Sequence, residues 1–120
     1  MKYSIFDAPV KVFGIARFSE NKKLEKFPLY SQDGKGVEAK VVCKFFSPVG
    51  SWTWYVLEGT KHEDGDWEFY GIVVNEMGAE YGYFSLKELE SIELPFGLKI
   101  ERDLYFEGCF VKDLGDIVDF

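Results

Sequence analysis

Residues 51 to 57, Ser-Trp-Thr-Trp-Tyr-Val-Leu, place bulky rings on both sides of an extended chain, and this limits how the sequence can fold. Successive strand residues point to opposite faces, so Trp52, Trp54 and Val56 face one way while Tyr55 and Leu57 face the other. Phe45 and Phe46 precede this run, and Trp67, Phe69, Tyr70, Tyr81, Tyr83 and Phe84 follow it. Neither side reads as the wet one. Either helices cover one face of the sheet or a partner does.

The remaining punctuation defines an α+β single domain: an antiparallel sheet of four or five strands with two or three short helices. Lys2 to Ile5 and Val10 to Phe18 read as strand or irregular chain. Ser19 reads as an N-cap, with Leu24 and Phe27 on one helical face and Pro28 as the stop. Glu38 to Phe46 alternates with Ala39, Val41, Cys43 and Phe45 on one face, until Ser47-Pro48-Val49-Gly50 breaks it. Ser51 to Glu58 and Asp66 to Asn75 flank an acidic loop with Asp64-Gly65 and predict a hairpin, and Tyr81 to Phe84 predicts a fourth strand. Ser85-Leu86-Lys87-Glu88 matches a capping box for a helix ending near Ser91 or Ile92. Leu98 to Phe106 reads as extended, and Val111 to Val118 as a weak helix interrupted by Gly115.

A chain of 120 residues buries roughly two-thirds of its unfolded surface without needing a disulfide or metal. Cys43 and Cys109 form no CxxC pair, and the first ten residues lack a signal-peptide core, so a reduced, cytoplasmic protein is expected. No apolar run approaches the roughly 20 residues that span a bilayer. The net charge of -7 is uneven: residues 1 to 50 carry 9 Lys/Arg against 5 Asp/Glu, and residues 51 to 120 carry 5 against 16. Direct nucleic-acid binding is disfavoured, since it needs clustered cations. Lys22, Lys23 and Lys26 form the one basic cluster and read as a solvated helix face.

Chemistry-bearing groups are sparse. His62 is the only histidine, and with the two cysteines it lacks the local spacing of a zinc site. A Cys43–His62 nucleophile pair is geometrically conceivable, but free cysteine is usually a buried small apolar group. The acidic loop Glu63, Asp64, Asp66 and Glu68 gathers oxygens without matching a calcium-loop pattern, and Asp-Gly serves hairpin geometry by itself. No metal or cofactor is expected. Glu101, Arg102 and Asp103 put three charges inside an apolar stretch; if extended, the two carboxylates share one face and the guanidinium takes the other. Phenylalanines fill the interior, whereas tyrosine and tryptophan carry a polar atom and suit binding surfaces. Trp52, Trp54, Tyr55, Tyr70, Tyr81 and Tyr83 are therefore the expected partner-binding set.

Phe27-Pro28-Leu29-Tyr30-Ser31-Gln32, Lys44-Phe45-Phe46-Ser47-Pro48, Trp52-Thr53-Trp54-Tyr55, Phe69-Tyr70-Gly71, Gly82-Tyr83-Phe84-Ser85 and Gly97-Leu98 with Ile100-Glu101-Arg102-Asp103-Leu104-Tyr105-Phe106 follow one another in a distinctive order. Over about Leu24 to Phe106 the chain resembles a bacterial family of unknown function, the one numbered two thousand nine hundred and fifty-eight. The resemblance implies no catalytic residues. It implies carriage on plasmids, conjugative elements and phages, and hence an accessory or anti-defence role.

The expected function is a non-enzymatic module that binds a protein partner through tyrosine and tryptophan. A sharper version is an acidic inhibitor of a restriction or CRISPR-type nuclease, using Glu63, Asp64, Asp66 and Glu68. One alternative is a small hydrolase or nucleotide-processing enzyme built on Glu101, Arg102 and Asp103, which requires those three groups in one cleft. Another is a self-associating homodimer that buries the aromatic face.

Overall fold

The computed structural model describes residues 22–115. The expectations for Lys2 to Ile5, Val10 to Phe18, the Ser19 cap and residues 116 to 118 lie outside them. The described chain is an α+β domain. It comprises β1 (Lys40–Val41), β2 (Cys43–Phe46), β3 (Thr53–Lys61), β4 (Trp67–Asn75), β5 (Gly78–Ser85), α1 (Leu86–Ser91), β6 (Glu101–Arg102) and β7 (Cys109–Phe110). Five strands form an antiparallel sheet in the order β5-β4-β3-β2-β6, and β1 pairs with β7 beside it.

The sheet is covered on both sides, as the doubly apolar β3 requires. On the first face Trp54, Val56, Phe45, Trp67, Phe69 and Phe84 pack against Leu24, α1 and the Ile92–Ile100 segment. Phe69 is wholly buried, with ring centroids 5.6 Å from Phe45 and 5.5 Å from Phe84. On the second face Tyr55, Leu57 and Ile72 meet Ala39, Val41, Val111 and Leu114.

Glu38 to Phe46 does not form one strand. Gly36–Glu38 is a 3-10 turn, and Val42 separates β1 from β2 by donating its N–H to the Val56 carbonyl. Ala39 and Val41 consequently enter the second core while Cys43 and Phe45 enter the first. The alternating pattern fits either arrangement, because every second residue is buried in both.

Helical turns are shorter than expected. Leu24–Lys26 and Val111–Leu114 are 3-10 turns, and α1 is the α-helix of the described residues. The serine half of the predicted box is present: Ser85 Oγ accepts the Glu88 N–H at 3.1 Å. Leu86 and Leu89, three residues apart, supply the buried side of α1. Two strands are longer than expected, since β3 continues to Lys61 and β5 starts at Gly78, whereas of the expected extended stretch Leu98 to Phe106 only Glu101–Arg102 pairs as a strand. Asn75 Oδ1 accepts the Met77 N–H at 2.8 Å, and Gly78 adopts φ 128° where the chain turns back.

Candidate functional site

The β4–β5 register sets the site. Tyr70 lies opposite Tyr83 and Ile72 opposite Tyr81, so three phenols share the second face of the sheet at its β5 edge. Tyr70 and Tyr83 rings lie 4.9 Å apart and tilted by 52°, and Tyr70 and Tyr81 are stacked at 5.9 Å. A fourth phenol joins them from a loop. Between β3 and β4 the register shifts after Val56, making Leu57 the extra residue of a bulge and placing Glu58 opposite Tyr70. The Glu58 carboxylate is buried and accepts the backbone N–H groups of Tyr30 and Gln32, each at 2.8 Å. Gln32 is also buried; its Nε2 donates to the carbonyls of Lys40 and Leu57, and its Oε1 accepts the Lys40 N–H. These bonds hold Tyr30 at φ 73°, where its side chain hydrogen-bonds Tyr83.

Tyr30 is 63 % exposed, Tyr83 54 % and Tyr81 43 %, so the cluster presents its rings outward. The bond to Tyr30 is the main reason the Tyr83 phenol titrates above its ordinary range, and burial raises Tyr81. The hydroxyl groups of the cluster offer donors and acceptors on an apolar base.

The six expected binding residues do not form one surface. Trp54 and Tyr55 are 6 % and 4 % exposed and belong to opposite cores, because both faces of β3 are covered. Trp52 is exposed but stacks on Trp54 at 5.7 Å, over a cavity of about 280 Å³ lined by Ile92, Leu94 and Ile100. Trp52 also lines a cavity of about 350 Å³ with Tyr81 and the β4–β5 turn, so it borders both the first core and the tyrosine edge. Tyr30 was missed by pattern reading, since it sits in a loop with no periodicity; the buried Glu58 inside an apolar strand was the one hint that a loop had to close over it.

The acidic loop is largely occupied with its own structure. Asp66 Oδ1 accepts the N–H groups of Trp67 and Lys87, which ties the hairpin tip to the start of α1. Asp64 accepts the Asp66 N–H and pairs with Lys87 Nζ at 3.2 Å, and the backbone bond is the larger reason its carboxyl lies below the usual range. Glu68 meets His62 at 3.2 Å. Glu63 is exposed.

The three charges of the 101–103 cluster separate. Glu101 and Arg102 form β6 against Phe46 and Phe45. The Asp103 N–H donates to the Lys44 carbonyl at 2.9 Å, and its carboxylate lies 3.7 Å from Lys44 Nζ and accepts the Tyr105 N–H. Arg102 and Asp103 line a cavity of about 270 Å³ with Lys22 and Lys23, but Glu101 is not part of it. Burial alone raises the Glu101 carboxyl. Cys43 pairs with Val56, whereas His62 lies beyond Lys61, roughly 15–20 Å further along β3, so the two cannot act as a nucleophile and base. Burial pushes the Cys43 thiol up to about 12. Among the described residues no three His, Cys, Asp or Glu side chains gather as a metal would need, and no helix is long and apolar enough to cross a membrane.

Fold and site together define a small α+β domain whose sheet, sealed on both faces, presents a tyrosine surface at one edge. The chain belongs to the family described as protein of unknown function (DUF2958), whose model matches residues 17–112 and so reaches beyond the 24–106 stretch at both ends. No curated protein and no solved structure matches it.

Proposed function

We propose that this chain is a protein-binding module that docks a partner on Tyr30, Tyr70, Tyr81 and Tyr83. The observation that supports this reading is the cluster itself: four phenols gathered by a buried carboxylate and a strand register, with Tyr30, Tyr81 and Tyr83 turned outward. The turn closed by the Ser31 N–H on the Pro28 carbonyl, together with the Glu58 bonds, fixes Tyr30 in its left-handed conformation and holds its ring against solvent. Rigid phenols give contact area at low entropic cost, and tyrosine is enriched where interfaces concentrate their energy. The β5 edge beside them offers backbone groups to an added strand, so the docking mode would combine side-chain anchors with strand pairing. Such a module suits an accessory of a mobile genetic element.

The nuclease-inhibitor version draws less support, because Asp64, Asp66 and Glu68 are bonded within the chain. The enzyme alternative draws less support, because among the described residues the cavity lined by Arg102 and Asp103 does not include Glu101.

The test compares partners captured by the wild-type chain and by a Tyr30→Ala, Tyr83→Ala double variant verified as folded by circular dichroism. A partner recovered by the first, lost with the second and retained by Trp52→Ala supports the reading. Identical recovery by all three proteins defeats it. Light scattering separates the self-associating alternative, in which the partner is a second copy.

A further inference from the structure

Positive charge is concentrated in one concave place. A groove of about 450 Å³ runs between β1, β7 and the Leu24–Lys26 turn, where Lys23, Lys26 and Lys40 surround apolar walls that include Phe27 and Phe110. On a chain of net charge -7, this groove carries three ammonium groups and one carboxylate, Glu107. Three other lysines sit beside carboxylates: Lys44 by Asp103, Lys87 by Asp64 and Lys112 by Glu38. Among the described residues Lys23, Lys26 and Lys40 have no such carboxylate. Lys40 instead rests its Nζ 5.8 Å from the centre of the Phe110 ring. Lys23 also lines the neighbouring cavity with Lys22 and Arg102, so the positive rim continues. Cations brought together without anions repel one another, and a bound anion relieves this.

We propose that this groove binds a small anionic ligand of the nucleoside monophosphate class, with the phosphate among Lys23, Lys26 and Lys40 and the flat ring body on the Phe27 and Phe110 walls. The size and apolar walls favour a ring-bearing anion over a bare ion. The acidic remainder of the chain opposes a nucleic-acid strand, whose phosphates would extend past the basic rim. Cys109 lies in the wall and supplies a reporter; burial, with a smaller contribution from Asp113, raises its thiol, so it is a neutral surface at ordinary pH. This inference uses none of the tyrosine cluster and stands or falls separately.

Calorimetric titration of the full chain with adenosine monophosphate, adenosine and inorganic phosphate tests it. Saturable binding of the monophosphate is expected, tighter than either fragment, and weakened roughly tenfold by Lys26→Gln or Lys40→Gln, the scale of one lost charge-assisted bond. Lys61→Gln, an exposed lysine at the end of β3, leaves affinity unchanged. The ligand also slows iodoacetamide alkylation of Cys109, while the buried Cys43 reports that each variant is folded. Absence of saturable binding at millimolar monophosphate overturns the proposal. So does phosphate binding as tightly as the monophosphate, a short RNA binding more tightly through the same lysines, or unchanged affinity in the lysine variants.

Discussion

The Glu58 carboxylate, inside β3 and 2 % exposed, accepts the backbone N–H of Gln32 at 2.8 Å while the Gln32 side chain returns a bond to the neighbouring Leu57 carbonyl. This reciprocal contact is the hinge pin of the loop that carries Tyr30. Glu58→Ala leaves two amides without their acceptor, and hydrogen bonds to a charged group are worth about 1.5–3 kcal/mol each. A loss of about 2–4 kcal/mol in urea unfolding is expected after partial relaxation of the loop. Glu58→Gln keeps one acceptor and falls between. An unchanged midpoint in both variants contradicts the assignment.

Gly71 and Gly82 face each other across β4 and β5, but only one of them is required. A Cβ on Gly71 would run into the Tyr55 carbonyl oxygen, which is backbone and cannot swing away. On Gly82 it meets nothing within 4 Å. Gly71→Ala is expected to destabilise by about 3 kcal/mol or more, or to prevent folding. Gly82→Ala is expected to be neutral or to stabilise by about 0.5 kcal/mol, through the lower entropy of the unfolded chain. Thermal melts of the two variants decide this.

Stability should fall at alkaline pH through Cys43. Its thiol ionises near 9.0 when unperturbed and at about 12 in the folded protein, where burial is the main cause. Below the first value both states hold the proton and the group has no effect. Between the two the unfolded chain releases a proton that the native state keeps, so stability declines by about 1.4 kcal/mol per pH unit. Cys43→Ala removes this component of the slope, although it lowers stability at neutral pH by leaving a small cavity. Equal alkaline slopes for the two proteins would show that the thiol is not sequestered.

Asp66 joins the hairpin tip to the start of α1 by accepting the Lys87 N–H at 3.0 Å. Asp66→Ala is expected to cost about 1 kcal/mol, the scale of a lost helix cap. Hydrogen exchange should then quicken at the amides of Lys87 and Trp67, ahead of those in the centre of β4. Uniform protection in the variant would refute the link.

Much of the sheet could be read from alternation and turn residues. The β3–β4 hairpin, the Ser85 cap and α1 follow from local patterns whose physical causes act within a few residues. The Val42 break did not, because Ala39, Val41, Cys43 and Phe45 alternate identically whether they feed one core or two. The start of β5 was hidden by Gly78 and Ala79, which have little strand preference and are held by pairing with Asn75 and Val74. Trp54 and Tyr55 were expected at the surface through their polar atoms, yet closure over both faces of β3 outweighed that preference. Tyr30 and the lysine groove depend on contacts between distant segments. Lys26 and Lys40 meet across one cavity although their local surroundings describe only solvated chain.

The switch at Val42 makes one short segment a shared wall of both hydrophobic layers, with the Val42 amide fastened to Val56 between them. Loosening either layer therefore disturbs a segment that the other layer also packs against. A ligand clasped at Lys40 would thus steady the start of a segment on which both layers rest.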